Sequence, residues 1–329
     1  MKAKTLIGSI ALAGALVMTG AGCAGSGSAG STDSAGSGDK VITVGFAQTG
    51  SESGWRSANT ESMKNAFSEA NGFNLIFNAA DNKPEAQIAA VRSFINQGVD
   101  AIVLAPIVSD GWDDVLKEAK DANIPVILED RTVSASADLY ESWIGLDFEK
   151  EGQRAGQWVA DNFGSQPTNL VVLEGTTGSS AATDRATGFN SAIEGTDVKV
   201  LDSQTGNFTR ADGKTVMEGF LQKYGSQINV LFAQNDDMGL GALDAIKAAG
   251  LTPGTDVKIV TIDAVKDGMP ALADGEFNYI VECNPLLGDK VAEVVKDVVA
   301  GKTVDKQYIV DDQAFDQAQA KEVLDSRPY

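Results

Sequence analysis

The most informative stretch of the chain is VGFAQTGSESGWR, residues 44–56. An apolar strand runs into a polar loop and then into a helical pattern, and in an open α/β sheet such a loop faces the ligand crevice. A dinucleotide-binding protein needs G-x-G-x-x-G there, so that its backbone can approach a pyrophosphate. This loop instead carries Glu52, Trp55 and Arg56, which are a carboxylate, a flat apolar ring and a five-donor guanidinium. These groups match a small polyhydroxylated ring better than a phosphate.

The composition argues against several functions. Against 26 Lys and Arg stand 46 Asp and Glu, a formal net charge of -20, and such an acidic surface repels nucleic acid and anionic membranes. The 329 residues include no histidine, which removes histidine general bases, Ser-His-Asp triads and imidazole-bound metals. No G-x-S-x-G, no H-E-x-x-H and no cysteine pair with zinc spacing is present. We therefore predict a protein that is not an enzyme, with no cofactor, no metal site and no nucleic-acid partner.

The N-terminal segment has the pattern of an export signal followed by a tether. Lysines precede an apolar run over residues 6–18, which is too short to span a bilayer comfortably. Gly20-Ala21-Gly22-Cys23 then resembles a bacterial lipobox, although a glycine replaces the usual leucine. We predict a lipoprotein signal peptide over residues 1–22, lipidation of Cys23, and a flexible Gly/Ser-rich tether over residues 23–39. Cleavage of a plain secretory signal is the alternative.

These features predict an extracytoplasmic protein, either lipid-anchored to the outer face of the cell membrane or periplasmic, that touches the membrane only through its anchor. A lipidated Cys23 leaves Cys283 as the one other cysteine of the mature chain, so no internal disulfide is possible. We expect Cys283 to be a structural thiol, because a nucleophilic cysteine needs a histidine partner.

From residue 40 onward, short apolar runs alternate with helical patterns. Several runs are continuous enough for strands buried on both faces: residues 101–104, 126–128, 170–173, 230–232 and 259–260. Apolar stripes at helical spacing lie between them: Met63, Phe67 and Ala70; Ile88, Val91 and Ile95 before Gly98; and Val291, Val294, Val295 and Val298 before Gly301. This alternation predicts doubly wound α/β sheets, and the number of strands favours two lobes divided near residues 145–147.

Polar and aromatic residues follow the ends of the predicted strands, where an α/β crevice binds its ligand. The candidates are Glu52, Trp55, Arg56, Asp130, Arg131, Arg185, Phe208, Asn235, Asp236, Asp237 and Asp263. Within this set Asp236 and Asp237 have the pattern of helix N-caps and partners of the helix dipole. Three arginines are offset by Glu52, Asp130 and Asp263, which suits an uncharged ligand, and Trp55 and Phe208 would sandwich its ring.

In these residues the chain resembles the ribose/galactose-type periplasmic sugar-binding proteins, the substrate-binding components of ABC importers. The segments that carry the resemblance are residues 50–56, 128–131, 183–189, 206–210, 235–238 and 261–263, and the likeness extends over residues 40–329. The Ser-Glu-Ser-Gly-Trp-Arg loop makes it most similar to the galactofuranose-binding branch. The binding residues of that branch correspond here to Glu52, Ser53, Gly54, Trp55, Arg56, Asp130, Arg131, Arg185, Asn235 and Asp263.

The resemblance implies two Rossmann-like lobes of the type I periplasmic binding protein fold, joined by a three-segment hinge. The crossovers would fall near residues 145–147, 281–284 and 311–312. The N-terminal lobe would comprise residues 40–145 plus 283–311, and the C-terminal lobe residues 146–282 plus 312–329.

The resemblance also implies a function. A monomer would bind a neutral monosaccharide in its furanose form, galactofuranose, fructose, ribose or arabinose, and deliver it to an ABC permease with its ATPase subunits. Many relatives carry a glutamine near position 283, where Glu282 or Cys283 would contact the ligand instead. A binding protein that feeds a chemoreceptor, or a secreted α/β enzyme, is the alternative.

Overall fold

The computed structural model describes residues 41–329, which form two six-stranded sheets flanked by helices. The strands are β1 Ile42–Gln48, β2 Phe73–Ala79, β3 Ala101–Leu104, β4 Val126–Asp130, β5 Ser142–Gly145, β6 Thr168–Glu174, β7 Val198–Thr205, β8 Val230–Ala233, β9 Lys258–Asp263, β10 Tyr279–Glu282, β11 Gln307–Ile309 and β12 Ala314–Phe315. The helices are α1 Gly54–Ala66, α2 Pro84–Gln97, α3 Asp113–Asp121, α4 Phe148–Phe163, α5 Ser180–Ile193, α6 Arg210–Tyr224, α7 Asp236–Ala248, α8 Gly268–Ala273, α9 Gly288–Val299 and α10 Gln317–Val323. No helix within residues 41–329 is both long and apolar enough to cross a membrane.

The two sheets have the same strand order. The first runs β2-β1-β3-β4-β5-β11 and the second β7-β6-β8-β9-β10-β12. All neighbouring strands are parallel except β10 and β12, which are antiparallel. In both sheets the order reverses beside the first strand of the lobe, which is the switch point where doubly wound sheets bind ligands. The predicted α/β class with two lobes is thereby confirmed.

Local sequence explains the central elements. The four residues of β3, AIVL, are all buried, as expected for a strand covered by helices on both faces. Helix α2 starts with Pro84 at its first position and ends at Gly98, whose φ of 66° is left-handed. The predicted stripe through Ala70 is wrong at its end, because α1 stops at Ala66 and Ala70 lies exposed on a following 3₁₀ turn.

The chain passes from one sheet to the other three times, after β5, after β10 and after β11. Helix α4 packs against α5 beside the second sheet, and α9 packs against α1 beside the first. We call the part built around the first sheet the N-terminal lobe and the part built around the second sheet the C-terminal lobe. The carboxyl ends of the strands in one lobe thus face those in the other. The exact lobe boundaries given above remain a prediction.

Candidate ligand-binding site

A cavity between the lobes contains about 300 Å³ of space between protein atoms. It is lined by Glu52, Ser53, Trp55, Arg56, Asp130, Arg131, Phe148, Ala181, Arg185, Phe208, Asn235, Asp263 and Cys283. Every binding residue that the resemblance implies is present except Gly54, and Phe208 is present as well.

The lining residues sit at strand ends and helix starts. Asp130 and Asp263 end β4 and β9, and Cys283 follows β10 directly. Ser53 and Asn235 are the N-caps of α1 and α7, accepting hydrogen bonds from the backbone N–H groups of Arg56 and Met238 at 3.1 and 2.9 Å. The cap oxygens thus serve their helices as well as the cavity wall, and they fix the first turns that carry the binding side chains.

In the N-terminal lobe, two guanidinium groups share two carboxylates. Arg56 Nε lies 3.2 Å from Glu52 Oε1, and its Nη2 donates to Asp130 Oδ2. Arg131 lies 3.5 Å from Glu52 and 3.7 Å from Asp130. Burial opposes ionisation of Glu52, but Arg56 and Arg131 outweigh it and lower the pKa of that carboxyl. Charges paired in this way present fixed donors and acceptors to a neutral ligand.

Hydrogen bonds to residues outside the cavity wall also hold the Arg56 guanidinium in place. Arg56 Nη1 donates to Asn59 Oδ1 at 3.1 Å, and Asn59 Nδ2 donates to Glu129 Oε1 at 2.6 Å. Burial, with the neighbouring Asp130 charge, raises the pKa of Glu129 to about 8. Sequence reasoning missed Glu129 and Asn59, neither of which lines the cavity.

In the C-terminal lobe, Arg185 has a partner that the sequence did not indicate. Its Nε donates to Glu151 Oε2 at 2.8 Å and its Nη1 to the Gln234 carbonyl at 2.6 Å, whereas Asp263 is 3.8 Å away. The predicted balance of three arginines against three carboxylates is therefore incomplete. Burial raises the pKa of Glu151, and it raises that of Asp263 well above its usual range.

Two polar atoms at the cavity are left without a hydrogen-bond partner among the described residues: Arg131 Nε and Asp263 Oδ2. Buried polar groups are normally paired, so unpaired ones in a cavity wall indicate where a ligand binds.

Both predicted aromatic residues line the cavity. The Arg56 guanidinium carbon lies 4.7 Å from the Trp55 ring centroid, and that of Arg131 lies 5.2 Å from the Phe208 centroid. Trp55 Nε1 donates to the Cys283 carbonyl at 2.6 Å, so its ring and not its N–H is left for a ligand. The sandwich of a sugar ring between Trp55 and Phe208 remains a prediction.

Three of the eight non-glycine residues with positive φ among residues 41–329 line the cavity. Asp130, Phe208 and Asp263 have φ values of 62°, 63° and 132°, which residues other than glycine rarely adopt. Such conformations persist only where the surrounding structure enforces them, and they cluster at functional sites.

Two sequence interpretations need correction, and the structure distinguishes between two alternatives that were left open. Gly54 lies outside the cavity, and its N–H donates to Asp237 at 2.7 Å. Asp236 and Asp237 are not N-caps, because Asn235 caps α7, but they occupy its first turn, as expected for partners of the helix dipole. Cys283, not Glu282, lies in the cavity wall, because Glu282 accepts from Arg327, Tyr329 and the Gln313 N–H.

Cys283 is buried, and the pKa of its thiol is raised well above the usual range by burial and by the nearby Glu151. This agrees with a structural thiol, although one that forms part of the cavity wall. Phe148 and Ala181 were not predicted as lining residues, whereas Cys283 was one of two alternatives. Phe148 lies where the chain changes sheet after β5, and that position was the available signal.

Comparison with known proteins shows the family to which the chain belongs. The model of a family described as periplasmic binding protein domain matches residues 44–303. The galactofuranose-binding protein YtfQ of Escherichia coli is 47% identical over 248 residues, which cover 74% of this chain and 78% of that protein. The fructose import binding protein FruE of Bifidobacterium longum is 42% identical over 290 residues, covering 86% of this chain and 87% of that one.

A crystal structure from Mycobacterium smegmatis in complex with β-D-fucofuranose superposes with a TM-score of 0.85 at 57% identity, covering 88% of this chain and 95% of that one. The chain belongs to the periplasmic binding protein family, and the resemblance to its sugar-binding members is confirmed. The cavity described above is therefore the candidate ligand site of a member of this family.

Proposed function

We propose that this protein is the extracytoplasmic substrate-binding component of an ABC sugar importer. It binds a neutral monosaccharide in its furanose form between its lobes and delivers it to the permease and its ATPase subunits. The observation that carries this proposal is a cavity lined from both lobes by paired guanidinium and carboxyl groups together with aromatic rings.

The electrostatics of the site favour an uncharged ligand. Each cavity arginine has a carboxyl partner within 4.0 Å, so an anion finds no uncompensated cation. A polyol ring supplies matching hydroxyls, and its C–H faces suit Trp55 and Phe208.

The furanose form is supported by the relatives. YtfQ is named for galactofuranose, and the superposed structure holds β-D-fucofuranose. We propose that Glu52, Ser53, Trp55, Arg56, Asp130, Arg131, Arg185, Phe208, Asn235 and Asp263 contact the sugar, with Cys283 in the wall beside them. We expect a micromolar dissociation constant, which corresponds to a binding free energy of about -8 kcal/mol.

Titration calorimetry tests this proposal with a pair of locked rings. The five-membered 1,4-anhydrogalactitol and the six-membered 1,5-anhydrogalactitol have the same hydroxyl count and neither can open. We expect the five-membered ring to bind at least tenfold tighter than the six-membered ring. Among D-galactose, D-fucose, D-fructose, L-arabinose and D-ribose, we expect the affinity to follow how well the furanose form of each sugar fits the cavity. Tighter binding of the six-membered ring would remove the furanose proposal. A sugar phosphate or an amino acid that displaces every free sugar would remove the sugar proposal itself.

We further propose that lipidation of Cys23, which lies outside the described residues, anchors the protein to the membrane. Replacing Cys23 by serine removes the thiol that carries the lipid, so Cys23→Ser should move the protein from the detergent phase to the aqueous phase in a detergent-partition assay. Retention of the variant in the detergent phase would contradict the anchor.

A carrier role in place of catalysis follows from the same site. The chain has no histidine, and the cavity thiol has a raised pKa that disfavours the reactive thiolate. We therefore expect bound sugar to be recovered chemically unchanged after prolonged incubation, which mass spectrometry of the released ligand checks.

A further inference from the structure

A direct contact joins the two lobes beside the cavity. The Gly54 N–H, in the N-terminal lobe, donates to Asp237 Oδ2, in the C-terminal lobe, at 2.7 Å. Neither residue lines the cavity. Nothing in the sugar-binding role described above requires this contact.

The donor is a helix terminus. Gly54 is the first residue of α1, so its N–H has no acceptor within the helix, and the N-cap oxygen of Ser53 is taken by Arg56 N–H. A carboxylate placed there gains from the partial positive charge of the helix end. Because the next residues of α1 are Trp55 and Arg56, the contact holds the start of the element that forms the cavity wall.

The acceptor is held from its own lobe. Asp237 Oδ1 lies 3.3 Å from Arg210 Nη2, and Arg210 also binds Asp267 at 2.9 Å. The Asp237 side chain is only 11% exposed, which strengthens its interactions relative to a surface pair. Arg210 therefore aims the carboxylate across the gap between lobes.

The contact depends on the closed arrangement, since its two ends belong to different lobes. Two further bonds cross between the lobes, from Ser109 N–H to the Gly178 carbonyl at 2.8 Å and from Thr132 N–H to Ser180 Oγ at 3.0 Å. Asp237 differs from these because it supplies a charge, and charge-assisted hydrogen bonds are about twice as strong as neutral ones.

We propose that Asp237 is a positioning residue that latches the lobes over the bound sugar and slows its release without touching it. This inference rests on the proposed sugar-binding function. We name the Gly54 N–H, the Asp237 carboxylate and Arg210 together the Asp237 latch.

Stopped-flow and calorimetric measurements on the full chain test the latch, with D-fucose, D-galactose, D-fructose and L-arabinose as probes. For the sugar that binds the wild type tightest, Asp237→Ala should raise the dissociation rate at least tenfold and leave the association rate within twofold. The matched control is Asp267→Ala, which removes the other carboxylate on Arg210 but no contact with the N-terminal lobe. It should leave both rates within twofold.

A second variant removes the donor. Gly54→Pro deletes the N–H at the first helical position, where proline is favoured, and Ser53 already has the extended backbone that a following proline requires. Its ring Cδ takes the place of the amide hydrogen and crowds Asp237 Oδ2, so the variant should raise the dissociation rate at least as much as Asp237→Ala does. In the double variant the carboxylate is gone, and the rate should stay within twofold of that of Asp237→Ala.

Several outcomes would overturn the latch: an unchanged dissociation rate in Asp237→Ala, an equal effect in Asp267→Ala, or full additivity of the two variants. Thermal unfolding shows whether a variant has lost its fold. If Asp237→Ala does not fold, an unchanged dissociation rate in Gly54→Pro would overturn the latch.

If no probe binds the wild type, the proposed function fails instead. The latch is then judged by hydrogen exchange of the Gly54 amide, where faster exchange in Asp237→Ala supports it and equal exchange overturns it.

Discussion

Arg131 is a buried cavity arginine with one unpaired nitrogen among the described residues. It is 4% exposed, its Nη1 and Nη2 reach the Ile107 carbonyl and Glu52, and its Nε has no hydrogen-bond partner among the described residues. We expect Arg131→Ala to weaken sugar binding by about 2 kcal/mol, because a charge-assisted bond is lost and buried acceptors are left unpaired. Calorimetry measures the change. Arg92→Ala, which removes an exposed arginine paired with Glu118, is the control and should bind as the wild type does. An Arg131→Ala affinity within twofold of the wild type would place the site elsewhere.

Glu129 gives a prediction for stability against pH. The pKa of this buried carboxyl is raised from 4.5 to about 8, so the folded state holds its proton more tightly than the unfolded state. Its contribution to the free energy of unfolding is fully present below about pH 4.5 and is lost as the pH rises through 8. Glu129→Gln cannot ionise, so its stability relative to the wild type should improve with pH, by up to about 1.4 kcal/mol per unit.

Urea unfolding at several pH values between 5 and 8 measures this difference. Glu118→Gln is the control, because the Arg92 hydrogen bond lowers the pKa of this exposed glutamate and it stays ionised throughout the range. Parallel curves for the wild type and Glu129→Gln would show that Glu129 is ionised in the folded protein.

At the scale of elements, the contact between α4 and α5 places Arg185 beside Glu151. A Cβ on Gly152 would lie 2.0 Å from the Arg185 carbonyl oxygen, so the two backbones approach too closely for any side chain there. Gly152→Ala must push the helices apart and should cost about 1–3 kcal/mol of stability as well as sugar affinity. Chemical unfolding and calorimetry measure the two effects.

The matched control lies in α6. A Cβ on Gly219 would meet no atom within 4 Å, so Gly219→Ala replaces an exposed helical glycine without a clash and should be neutral or stabilising by up to about 1 kcal/mol. If Gly152→Ala bound sugar as tightly as Gly219→Ala, the spacing of α4 and α5 would not matter to the site.

The sequence indicated elements unequally. Continuous apolar runs predicted β3, β4, β6, β8 and β9, since strands buried on both faces carry that pattern at any position. The short edge strands β11 and β12 carry no such pattern. They are strands because they pair with β5 and β10, which a local sequence pattern does not record. For the same reason the end of α1 was misplaced: the apolar spacing continues to Ala70, but the helix does not.

At the scale of the whole molecule, the site is complete only when the lobes meet. Arg56 and Asp130 come from one lobe and Arg185 and Asp263 from the other, so a sugar that contacts all of them shifts the population toward closure. Small-angle scattering should show a smaller radius of gyration at saturating sugar than without it. Asp267→Ala, whose side chain is 68% exposed, should show the same decrease. An unchanged scattering profile for the wild type would count against a closing mechanism.

The sequence by itself determined the alternation of strands and helices, the family and nearly all the side chains that line the cavity, because strand ends in an α/β sheet meet at one edge wherever the fold forms. Only the tertiary structure decided how those side chains are paired. Arg185 binds Glu151 in preference to Asp263, Gly54 faces Asp237 and not the cavity, and Cys283 takes the position left open between it and Glu282. These outcomes depend on distances between elements far apart in the chain, which no local pattern records.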